Sequence, residues 1–136
     1  MKMIFSTVQS LSREQYRVCL ALAIRPYSLL RDNAVLSRRK QIEDIPVLLL
    51  IDDNDVIVGW SAVFRGLSGK FTIMLNVRRS ERRKGYGTVL LNNMKAFCDS
   101  KGYQWTVCPW DPKSREFFRQ SEIKGSQIEP GFCMRE

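Results

Sequence analysis

The chain has 136 residues, 44% of them hydrophobic, which suits one domain with a real core and no independent second module. Its 22 Lys and Arg against 14 Asp and Glu leave a net charge of +8, which favours an anionic partner: a phosphorylated cofactor, nucleic acid, a membrane surface or an acidic protein. Histidine is absent, which excludes Ser–His and Cys–His catalytic pairs and every metal site that leans on imidazole. Cys19, Cys98, Cys108 and Cys133 lie far apart with no C-x-x-C pair, so they read as semi-buried thiols of a reduced, cytoplasmic protein. The N-terminal Met1-Lys2-Met3-Ile4-Phe5-Ser6 has no apolar run long enough for a signal peptide or a membrane span.

Residues 2 to 8 alternate loosely, with Ile4, Phe5, Thr7 and Val8, and predict a short first strand. A helix follows, capped by Ser10 or Ser12. Gln15 stands three residues after Ser12 as in a capping box, Tyr16, Cys19, Leu20 and Ala23 form one apolar stripe, and Pro26 ends it. Tyr27 to Asp44 predicts a second, less regular helix, with Arg38-Arg39-Lys40 as a solvated basic face that would alternatively dock an acidic protein. Val47 to Ile51 and Val56 to Arg65 then form a hairpin around the polar turn Asp52-Asp53-Asn54-Asp55. That turn lacks the glycine and distal glutamate of a calcium loop, so it reads as a turn only.

Gly66 to Gly69 predicts another turn and Phe71 to Val77 a third strand of the meander. The period then becomes helical through Leu90, Leu91, Met94, Phe97 and Cys98, and Gly102 suits the left-handed position after the helix. Gln104 to Cys108 predicts a strand closed by Pro109, Pro112 to Gln120 a short helix, and Ile123 to Arg135 a final hairpin broken at Pro130-Gly131. Strand, loop, helix and strand over residues 71 to 108 make a β-α-β crossover, so these two strands should pair in parallel. The fold class is α+β: a mixed, mostly antiparallel sheet with helices on its faces.

The junction between the third meander strand and its helix concentrates the chemistry. Arg78, Arg79, Arg82, Arg83 and Lys84 stand against Glu81 alone, and Gly85 and Gly87 fall where the helix begins. Backbone N–H groups there can close on phosphate oxygens while the helix N-terminus adds its positive end, an approach that side chains at the two glycines would obstruct. Thr88 and Val89 after Gly87 rule out the Walker Lys-Ser/Thr pair, and Leu90 replaces the third glycine of the dinucleotide fingerprint. A nucleic-acid patch is the competing reading of the charge, but it leaves the glycine pair unexplained.

What remains is Arg-x-x-Gly-x-Gly after a strand ending Leu75-Asn76-Val77, and in this the sequence resembles the GNAT superfamily of N-acetyltransferases. The resemblance covers residues 71 to 121 by motif and the rest by element order. It implies a GNAT-like acyl-CoA N-acyltransferase fold, acetyl-CoA (coenzyme A) as cofactor, and a protein or small-molecule amine as acceptor. It also implies a binding set of Asn76, Val77, Arg82, Arg83, Lys84, Gly85, Tyr86, Gly87, Thr88 and Phe117, in which the Val77 backbone bonds the acetyl carbonyl or the pantetheine arm. Phe118 stands where many relatives have the tyrosine thought to protonate the leaving thiolate, and Phe71 to Val77 carries no carboxylate for a base. Glu43, Asp44 and Asp111 are candidate bases only if loops bring them near; Cys108 has no histidine to activate it, and Trp110 is placed to shape an acceptor mouth. The expected activity is N-acetyl transfer by direct attack, and the alternative is a non-catalytic protein-interaction module on the same fold.

Overall fold

A computed structural model of the chain describes residues 1–7, 10–22, 45–65, 70–109, 112–121 and 123–129. In chain order these form β1 (Lys2–Thr7), α1 (Arg13–Leu22), β2 (Pro46–Ile51), β3 (Ile57–Arg65), β4 (Phe71–Val77), a 3-10 turn (Arg79–Glu81), α2 (Tyr86–Ser100), β5 (Trp105–Val107), α3 (Pro112–Gln120) and a second 3-10 turn (Gly125–Gln127). The strands make one sheet in the order β1-β2-β3-β4-β5, antiparallel throughout except for the parallel pair β4–β5. None of the described helices is long and apolar enough to cross a membrane.

Local chemistry sets most of these elements. The predicted capping box closes α1: Gln15 N–H donates to Ser12 Oγ at 3.0 Å and Ser12 N–H to Gln15 Oε1 at 2.9 Å. In the turn after β2, Asp52 Oδ1 accepts from the amides of Asn54 at 2.8 Å and Val56 at 3.0 Å, so its carboxylate serves the backbone. Gly102 takes φ 70° after α2, as its position required.

Strand alternation divides the core in two. Val47, Leu49 and Ile51 of β2, Trp60 and Ala62 of β3 and Met74 of β4 pack on the α1 side with Cys19. Leu48, Leu50, Val63, Ile73 and Val77 pack on the other side against Leu90, Leu91, Met94 and Cys98 of α2 and Phe118 of α3. Trp60 Nε1 donates to the Cys19 carbonyl at 3.1 Å and ties α1 to the sheet. Gly59 pairs with Leu50 beneath α2, just before the register slips at Leu50/Ile51; a Cβ there would stand 3.0 Å from both Leu90 Cδ1 and the Asn76 carbonyl.

One expectation needs correction, and another is described only in part. Of the hairpin expected over Ile123 to Arg135, only residues 123–129 are described. They form a 3-10 turn and a one-residue parallel bridge, Val107↔Ile128, with Glu129 N–H donating to the Val107 carbonyl at 2.9 Å. Cys108 is not a thiol but is disulfide-bonded, since sulfur pairing follows the meeting of segments that sequence spacing does not reveal. The predicted helix over 27–44, the turn at 66–69, Glu43, Asp44, Trp110, Asp111 and Pro130-Gly131 lie outside the described residues.

Cys19 and Cys98 are buried free thiols, and burial pushes both up to about 12, with the Asp99 carboxylate adding to the effect at Cys98. Folded pKa values above the unfolded value of about 8.5 mean that the unfolded chain loses protons the folded one keeps, so stability is whole below about pH 8.5 and falls as pH rises towards 12. Urea midpoints measured across that window should decline, and less so in Cys19→Ala/Cys98→Ala. Peptide mapping after iodoacetamide treatment should find both sites unlabelled in the native protein and labelled in urea.

Candidate functional site

The site is built where two parallel strands part. β4 and β5 pair only at Phe71↔Trp105, Thr72↔Thr106 and Ile73↔Val107. Phe71 N–H donates to the Gln104 carbonyl at 2.8 Å, towards β5, whereas Arg78 N–H donates to the Val58 carbonyl at 2.7 Å, towards β3. Backbone polarity alternates along a strand, so the peptide groups of Leu75 and Val77 face the β5 side, where no β5 residue lies opposite. The strand end therefore offers unpaired backbone groups to a ligand.

Beyond Val77 the chain turns through Arg79–Glu81 and enters α2 at Gly85, whose φ is 83°. Arg83 is also left-handed, with φ 65°, an uncommon conformation for a residue with a Cβ and costly by about 1 kcal/mol or more. No side chain caps α2, and its first helical bond is from Val89 N–H to the Gly85 carbonyl at 3.1 Å. The amides of Tyr86, Gly87 and Thr88 precede that bond and point out of the helix end, which also carries the positive end of the helix dipole.

These groups border an open cavity of about 900 Å³. One wall is Leu75, Asn76 and Val77 of β4; the rim is Arg79, Glu81, Arg82, Arg83 and Gly85 to Thr88; the far wall is Lys113, Ser114, Glu116, Phe117, Phe118 and Gln120 of α3. Of the predicted binding residues, Asn76, Val77, Arg82, Arg83, Gly85, Tyr86, Gly87, Thr88 and Phe117 all line it. Lys84 does not: its ammonium pairs with Glu81 Oε2 at 2.8 Å, a contact that raises its pKa first through the hydrogen bond and then through the opposite charge. The polar wall of α3 escaped the sequence reading. The spacing of Lys113, Glu116, Phe117 and Gln120, three and four residues apart, was the available sign of a shared helix face.

The cations have different duties. Arg82 Nε donates to the Val77 carbonyl at 3.1 Å, which latches the loop over the strand end and leaves the Val77 N–H for a ligand. Arg78 Nη2 donates to the Ile57 carbonyl at 3.1 Å and so ties the loop to β3. Arg79 and Arg83 are exposed at the rim. Asn76 differs from Val77, because its backbone turns to β3 and strand alternation sends its side chain to the α1 face.

The two glycines also differ. A Cβ at Gly85 would meet nothing within 4 Å, so its left-handed backbone is what requires glycine there. A Cβ at Gly87 would lie 3.3 Å from Phe117 Cζ, so that glycine lets α2 close on α3. Phe118 is 3% exposed, with its ring 5.4 Å from that of Phe117, and brings no hydroxyl to the cavity. The described carboxylates on the lining are already engaged, Glu81 by Lys84 and Glu116 by Gln120 Nε2 at 3.1 Å.

Residues 8–121 match the acetyltransferase (GNAT) family. No curated protein matches the chain by sequence. Solved structures share the fold at low identity. An acetyltransferase of Trypanosoma brucei superimposes with a TM-score of 0.59 at 18% identity, over 91% of this chain and 94% of its own. AAC(6')-Iy in complex with the bisubstrate analogue CoA-S-monomethyl-acetylneamine gives 0.65 at 13% identity, over 100% and 99%. A putative acetyl transferase from Pyrococcus furiosus gives 0.63 at 9% identity, over 99% of each chain.

The geometry separates the roles of three residues. Gly85→Ala should cost about 1 kcal/mol of stability by backbone strain, whereas Gly87→Val should open the α2–α3 contact and shift Phe117 signals in NMR spectra. Arg82→Leu should cost about 1 kcal/mol in urea unfolding, since the latch is a charge-assisted hydrogen bond.

Proposed function

The chain belongs to the acetyltransferase (GNAT) family, and on that premise we propose that it transfers an acetyl group from acetyl-CoA to an amine of a protein lysine, an N-terminus or a small molecule. One observation carries the reading: the unpaired end of β4 faces the uncapped N-terminus of α2 across one cavity. A pyrophosphate needs clustered N–H donors and positive potential, and a pantetheine arm needs backbone groups that pair with its amides. Both kinds of group are present on the lining of one cavity. The shared fold of AAC(6')-Iy, which carries a coenzyme A analogue, supports the same placement.

In this reading the amides of Tyr86, Gly87 and Thr88 hold the pyrophosphate, and Arg79 and Arg83 add charge at the rim. Leu75 and Val77 extend the sheet to the pantetheine arm, and the Val77 N–H bonds the thioester carbonyl oxygen, which draws electron density from the carbon under attack. Acetyl-CoA supplies the activated acyl group. The amine nitrogen bonds to the carbonyl carbon, the C–S bond breaks, the nitrogen loses one proton to water, and the thiolate leaves to be protonated by solvent. Positioning contributes most of the acceleration. The missing hydroxyl at Phe118 forgoes a general acid worth about 10² to 10⁴ in rate, though a thiol of pKa about 8.5 leaves tolerably without one.

Buried Phe118 and a β4 free of carboxylates favour a second reading, a coenzyme-binding module that docks partners without turnover. Calorimetry with acetyl-CoA should show binding at moderate salt, weakened about a hundredfold or more by Gly85→Glu, which sets a carboxylate against the pyrophosphate. Release of free thiol over a panel of amines and lysine peptides then separates enzyme from module. Binding without turnover selects the module, and absence of binding sinks both.

A further inference from the structure

We propose that Asn76 is the residue that positions the acceptor amine, its carboxamide oxygen taking an N–H of the attacking nitrogen from the α1 face of the sheet. The inference rests on the acetyl-transfer reading and deepens it.

Asn76 is 4% exposed and stands opposite Trp60 on the neighbouring strand. Met74, two residues back and on the same face, belongs to the core beneath α1 together with Trp60, while Ile73 and Val77 belong to the core beneath α2. Packing alone would place an aliphatic side chain at such a position. Three buried polar side chains occur among the described residues of the sheet, and two are satisfied: Ser61 Oγ donates to the Met74 carbonyl at 2.8 Å and Thr106 Oγ1 to Glu129 Oε1 at 3.0 Å. Asn76 Oδ1 has no partner among the described residues. A buried acceptor left without a donor is rare in folded proteins and calls for a ligand or a water to meet it. Asn76 is also among the residues that line the cavity.

Its place in the strand suits an acceptor site. Val77, the next residue, turns its N–H in the plane of the sheet towards the gap beside β5, where the thioester carbonyl belongs in the proposed function. Asn76 leaves the same strand end perpendicular to that plane. A carbonyl carbon is attacked from one face, and a neutral amine that aims its lone pair at the carbon directs its hydrogens backwards and sideways. An amide oxygen on the α1 face can take one of them. A carboxamide does not ionise near neutral pH, so Asn76 orients the nitrogen while water takes the proton. The side chain therefore selects acceptors that keep an N–H during attack, that is, primary or secondary amines.

The test uses the full chain and three probes: glycinamide, Nα-acetyl-lysine amide and spermidine. Asn76→Leu should raise the KM of whichever amine reacts fastest by about tenfold, the loss expected for one hydrogen bond, and leave the acetyl-CoA KM within about twofold. Asn76→Ser, which keeps a short acceptor, should recover part of the loss. A structural role would move neither KM selectively, since replacing an orphaned polar group by leucine should hold or raise Tm. An unchanged amine KM, or an acetyl-CoA KM that rises in step with it, overturns the proposal. Should the native chain turn over no amine, the acetyl-transfer reading fails on its own, and Asn76 is read by NMR instead. Its side-chain amide signals, assigned by their loss in Asn76→Ala, should shift saturably with glycinamide when coenzyme A is present, and signals that stay still overturn the inference.

Discussion

The parallel pairing of β4 with β5 stops after three residue pairs, and the rest of the site depends on that stop. β5 ends at Val107, where Cys108 and Pro109 follow, and the Val107 carbonyl, on the edge away from β4, accepts from Glu129 N–H. β4 runs on for four more residues with no strand on its outer edge among the described residues, where only the Val77 carbonyl is met, by Arg82 Nε. An edge of this kind inside a fold is costly unless something pairs with it, which makes it a receptor for a ligand with amides of its own. The space left by β5 also lets α3 stand across from the start of α2, with Phe117 against Gly87, and so closes the second wall.

Charge and hydrogen bonding divide the work of the loop differently from its composition. Five cations against one anion suggest a purely electrostatic anion trap. Three of the five are instead committed to the protein: Arg78 to the Ile57 carbonyl, Arg82 to the Val77 carbonyl and Lys84 to Glu81. They hold a turn in which Arg83 and Gly85 both adopt left-handed backbone, the geometry that directs successive N–H groups outward. In the proposed reading a phosphate would be held mainly by backbone donors at a helix end, with Arg79 and Arg83 as peripheral charge.

The sheet also separates two functions by parity. Odd residues of β4 send their peptide groups to the gap beside β5 and their side chains to the core beneath α2, whereas Asn76 sends its side chain to the α1 face. Donor and acceptor can thus meet at adjacent residues from different directions.

Much of this was legible in the linear sequence because it depends on local physics. The strand over Phe71–Val77, the helix over Pro112–Gln120, the Ser12–Gln15 capping box and the left-handed Gly102 follow from periodicity and from which backbone angles a residue tolerates. The Arg-x-x-Gly-x-Gly spacing after a strand placed a left-handed glycine at the start of a helix for the same reason. Tertiary structure alone decided which groups meet: that Lys84 pairs with Glu81, that Gly87 stands against Phe117, and that the polar face of α3 forms a wall. It alone decided that Ile128 bridges to Val107, that Cys108 is disulfide-bonded and that Asn76 is buried with its oxygen unmet among the described residues. Each of these requires two or more segments distant in sequence to be set at ångström distances, and residue type and spacing carry no such distances.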